Sequence, residues 1–92
     1  MANNIFISYD LKSPGQDYSK IISEIKTLGP WAKVLESLWF VSTTLSASDV
    51  VSKLKTKIDY NDSIIVIDAK NNNASWHNLN NETSNFIKSK WS

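Results

Sequence analysis

Two stretches in which apolar residues recur every three or four positions are each enclosed by short β-branched and aromatic runs. This switching of period constrains the chain more than any other feature. The first stripe is Tyr18, Ile21, Ile22, Ile25 and Leu28, and the second is Ala47, Val50, Val51, Leu54 and Ile58. Such spacing lines up one apolar face on a helix. Residues 5–9, 31–35, 38–43 and 63–68 form the intervening runs, and their β-branched and aromatic content predicts strands. Pro14-Gly15 punctuates the loop after the first run, where Gln16 or Asp17 is placed to start the first helix. Gly29-Pro30 stops that helix. Ser46, with Asp49 three residues on, resembles a capping box opening the second helix. Glu36-Ser37 leaves hairpin spacing between the second and third runs.

The resulting order is strand, helix, strand, strand, helix, strand. It predicts a ferredoxin-like βαββαβ domain of the α+β class over residues 1–69, with both helices on one face of an antiparallel sheet. Right-handed crossovers are expected to place the first and fourth strands in the middle, and residues 63–68 are apolar on both faces, as befits a central strand. Residues 70–92 form an Asn-rich extension. Trp76, Leu79, Phe86, Ile87 and Trp91 make it too apolar for disorder, and residues 82–91 suit a short helix. The extension is expected to pack on the domain or on a partner subunit.

Ninety-two residues make one small domain with a modest core, and edge strands with exposed aromatics favour a homodimer. Ten Lys and no Arg face nine acids, for a formal charge of +1. No basic footprint for a polyanion stands out, and the preferred bidentate reader of phosphate and guanine is missing. Without Cys there is no disulfide, thiolate nucleophile or Cys-ligated zinc. The first apolar run is too short for a signal peptide or a membrane span, so a cytoplasmic protein without a membrane partner is expected.

Several segments resemble a known group. The opening "ISYDL", the block "LGPWAKVLESLWFVSTTLSASDV" and "IDYNDSIIVIDA" are similar to small bacterial and phage proteins of the CRISPR-associated protein 2 superfamily, in particular the stand-alone members labelled SinR-like. The resemblance covers roughly residues 5–76. It implies a ferredoxin-like dimer. It also implies that Asp10, at the end of the first strand, could hold a divalent metal and serve phosphodiester cleavage. The further acids common beside that position are replaced by Tyr9 and Leu11.

The residues themselves leave the site open. Asp10 is a candidate catalytic residue and ligand for Mg²⁺ or Mn²⁺, but one carboxylate rarely suffices, so two copies would have to meet at a dimer axis. The alternative is a loop carboxylate that accepts from backbone amides. Tyr9, Lys12 and Ser13 are candidates for holding a phosphate at the start of the first helix. His77, the single histidine beside Trp76, is a candidate general base or stacking group, against the plainer role of a surface or interface histidine, and Trp76 and Trp91 are candidates for stacking on bases, against pinning the tail onto the domain or a partner subunit. Lys53, Lys55 and Lys57 suit a solvated helix face. The expectation is a non-catalytic or weakly catalytic binding protein without a cofactor, its ligand a nucleic acid or a nucleotide-like phosphate compound. A metal-dependent nuclease centred on Asp10 is one alternative. A phage or mobile-element factor acting by protein–protein contact is the other.

Overall fold

The computed structural model describes residues 2–11, 18–70 and 73–91. It is an α+β fold: one antiparallel four-stranded sheet and three α-helices. In chain order these are β1 (Asn3–Asp10), α1 (Ser19–Lys26), β2 (Trp31–Leu35), β3 (Leu38–Thr43), α2 (Ala47–Leu54), β4 (Ser63–Asp68) and α3 (Asn81–Lys90). A single 3₁₀ turn, Lys55–Lys57, extends α2.

The strand order is β2-β3-β1-β4. The central pair is therefore β1 and β3, and β4 lies at an edge, which corrects the expectation that the first and fourth strands share the middle. An apolar run on both faces does mark a strand meant for burial on both sides. In β4 only one side is covered: Ile64 and Val66 are partly buried, whereas Ile65 and Ile67 are more than half exposed.

Side chains alternate across a strand, and residues directly opposite each other share a face. Register then sorts the sheet. Ile5 faces Val41, and Ile7 faces Trp39 on one side and Val66 on the other. These residues, with Tyr9, pack under Ile21 and Ile25 of α1 and Val50 and Leu54 of α2, so both helices cover that one face. Burying each such aliphatic side chain is worth roughly 1.5–3 kcal/mol, which makes this layer the main core. The opposite face carries Phe6 against Phe40 and Ile67, and Ala32 against Phe40. Here α3 docks. Trp91 stacks on Phe40 at 6.0 Å between ring centres and lies 6.0 Å from Phe6, while Ile87 is buried.

Local signals explain most boundaries. Ser46 Oγ accepts from Asp49 N at 3.0 Å, satisfying an amide that the first turn of α2 would otherwise leave open. Asn80 caps α3 in the same way, through Oδ1 and Thr83 N at 2.7 Å. The first helix is shorter than its apolar stripe. It ends at Lys26, and Leu28 packs beside the core from the following turn. Its start has no side-chain cap at Tyr18, and Gln16 and Asp17 lie outside the described residues. At Gly29 the backbone passes so close to β3 that a Cβ would run into the carbonyl oxygen of Ser42. Beside it, Ser42 N donates to Pro30 O at 2.9 Å, fastening the entry of β2.

Candidate functional site

The residues singled out in the sequence do not converge on one pocket. Tyr9 points to the helix-covered face, is 6% exposed, and its hydroxyl accepts from Trp39 Nε1 at 3.2 Å. Tyr18 meets its ring edge-on at 5.9 Å. Asp10 is exposed at the end of β1, opposite Ser63. Around it, Ser8, Tyr9, Ser63, Ile64 and Ile65 outline a shallow cleft of about 180 Å³. Among the described residues no group of three or more His, Cys, Asp or Glu is placed to hold a metal ion. Asp10 therefore brings a single carboxylate, where a hydrolytic metal centre needs several ligands and open positions. Lys12 and Ser13 lie outside the described residues.

Trp76 and His77 belong to the segment before α3. Trp76 is 37% exposed and donates through Nε1 to Ser84 Oγ of α3 at 3.1 Å. With Trp91, Lys88, Asn73 and Ala74 it lines an open cleft of about 280 Å³. His77 is exposed and does not line it. Two indoles, an ammonium and an amide could take a planar, anionic group, since aromatic faces stack on bases and Lys reaches phosphate as a point charge. Lys53, Lys55 and Lys57 are exposed at the end of α2, and Lys55 borders a wide hollow of about 660 Å³ with Asp59, Tyr60 and Asp62.

The feature that sequence reasoning missed is the state of the sheet's second face. On the β2 and β3 half, α3 buries Ala32 and Phe40. On the β4 half, Ile65 and Ile67 stand open, and Tyr60, just before the strand, is fully exposed. The signal was present in the apolar run itself, which placed four consecutive aliphatic residues where only one side is covered. Compared with family models, curated proteins and solved structures, the chain matches none of them. No helix among the described residues is long and apolar enough to cross a membrane.

Proposed function

We propose that this chain is a non-catalytic binding protein that acts by protein–protein contact through the uncovered half of its sheet, on a ferredoxin-like scaffold. The scaffold reading is supported by the strand order β2-β3-β1-β4 with both crossover helices on one face. The same features suit the resemblance to the CRISPR-associated protein 2 superfamily. The observation that carries the function is β4: a straight edge strand that presents Ile65 and Ile67 at 57% and 52% exposure. Contiguous exposed apolar surface on a small domain marks an interaction site. A photo-crosslinking residue placed at Ile67 in cells should form an adduct with another polypeptide, and the same residue at Lys20 on α1 should not. No adduct from position 67 would overturn the reading.

A nucleotide-like ligand is the second reading, favoured by the Trp76, Trp91 and Lys88 cleft. Under it, an oligothymidylate quenches tryptophan emission in the native chain and much less in Trp76→Ala. An unchanged spectrum on mixing would remove this reading. Cleavage centred on Asp10 requires a partner copy to bring a second carboxylate to the first.

A further inference from the structure

Four strands are wider than one helix. Strands lie about 4.8 Å apart and a helix with its side chains is about 10–12 Å across, so a four-stranded face takes two helices side by side. The first face has two, α1 and α2. On the second face, among the described residues, α3 alone covers the β2 and β3 half and reaches as far as Phe6 through Trp91. The part left open, β4 and the outer side of β1, is about 10 Å across, the width of a single helix.

Register gives the floor of this gap. Side chains on one face recur every second residue, and opposite residues share a face. Three rows follow along the strands: Phe6 with Ile67, Ser8 with Ile65, and Asp10 with Ser63. The floor therefore grades from apolar to polar, and its one charged side chain is the exposed carboxylate of Asp10. Beyond that end, among the described residues, Asp59 and Asp62 line a hollow together with Lys55. Lys70 lies past the apolar end, after Ala69 N donates to Asn4 O. The Asp10 end is thus acidic on balance and the other is not.

We infer that this gap takes an amphipathic helix of another polypeptide, with two apolar residues on Ile67 and Ile65 and a lysine or arginine on Asp10. This rests on the reading of the open half as an interaction surface and names its occupant. The rows lie about 6.8 Å apart, while helix residues four apart share a face and rise about 6.0 Å. One apolar residue per row and a basic residue in the next turn is the pattern that fits, apolar-x-x-x-apolar-x-x-x-Lys/Arg. A strand added at the edge would leave the face of Ile65 and Ile67 uncovered, so it does not answer the exposure that marks the site. The chain's own helices bury their apolar residues on its own sheet, so a second copy does not supply this helix. The occupant does for β4 what α3 does for β2, since a covering helix is one way of guarding an edge.

The probe is a synthetic peptide of about five turns that carries Leu-x-x-x-Leu-x-x-x-Lys, with alanine and glutamine elsewhere. Titrated into the isotope-labelled native chain, it should shift the amide resonances of β4 and β1 and leave those of β2, and its own helicity should rise. Changing its lysine to glutamate should weaken binding about fivefold or more. In the chain, Ile67→Ser should weaken binding about tenfold. Asp10→Asn should weaken it about two- to fivefold, as for an exposed ion pair, and the preference for lysine over glutamate should be lost. Absence of binding at millimolar peptide overturns the inference. So does equal binding of the glutamate version. Binding that slows hydrogen exchange of the outer β4 amides with no rise in helicity also overturns it, because that marks an added strand. If the probe fails while position 67 crosslinks to another polypeptide in cells, the occupant is wrong and the interaction reading stands. If position 67 crosslinks to nothing, both fail.

Discussion

The two edges of this sheet are built differently. β2 has a register irregularity between Lys33 and Leu35, a lysine in its middle, and α3 across its outer face. Lys33 reaches Glu36 at 3.8 Å, and on the same face of β2 Lys26 lies 4.7 Å from the centre of the Trp31 ring. The irregularity, the edge lysine and the covering helix are each a known way of making an edge unattractive to a further strand. β4 is straight, apolar and without lysine, and its outer-face residues remain exposed. The difference teaches that the chain can close an edge and does so on one side only. The proposed interaction rests on this contrast between an unguarded edge and a guarded one.

Four substitutions test the contrast, in falling order of effect. Phe40 is fully buried between the central strands and α3, so Phe40→Ala should cost about 3–5 kcal/mol in denaturant unfolding. Ile87→Ala on α3 should cost about 2–5 kcal/mol, with the lower half expected if α3 settles into the gap. A loss below 1 kcal/mol would mean that α3 does not guard the β2 half. Gly29→Ala drives a Cβ into Ser42 and should cost more than about 1 kcal/mol, read as a lower melting temperature. Ile67→Ser removes an exposed side chain from the open half and should change the unfolding free energy of the isolated chain by no more than about 0.5 kcal/mol. If Ile67→Ser proved as damaging as Phe40→Ala at a dilution where the chain is monomeric, the two halves would not differ as described.

Much of the architecture was legible in the residues. The bounds of β2 and β3 follow from Glu36-Ser37 sitting between two β-branched and aromatic runs, and the start of α2 follows from Ser46 and Asp49. The position of each strand in the sheet was harder. Ile5-Phe6-Ile7 and Trp39-Phe40-Val41 are apolar on both faces because a helix covers each side. Residues 64–67 show the same pattern, although their second side is left open. Composition cannot separate a strand covered by its own chain from one that awaits cover. The candidate site was less legible for a different reason. Tyr9, Asp10, Trp76 and His77 each stand out in the sequence by side-chain chemistry, and chemistry alone carries no information on which of them meet. Tyr9 serves the core through Trp39, and Trp76 serves α3 through Ser84.

The two layers share one wall. Trp39 lies beneath α1 and α2, Trp91 lies on the opposite side under α3, and only the thickness of β1 and β3 separates them. The dependence between the layers runs one way. Detaching α3 leaves the helix-covered layer with all its contacts, whereas melting that layer removes the surface on which α3 rests. Openings of a native protein follow such units, from the least to the most stable. Trp91 and Trp39 therefore report the two layers separately: the half-buried ring on Phe40 leaves with α3, and the buried ring bonded to Tyr9 stays until the helix-covered layer opens.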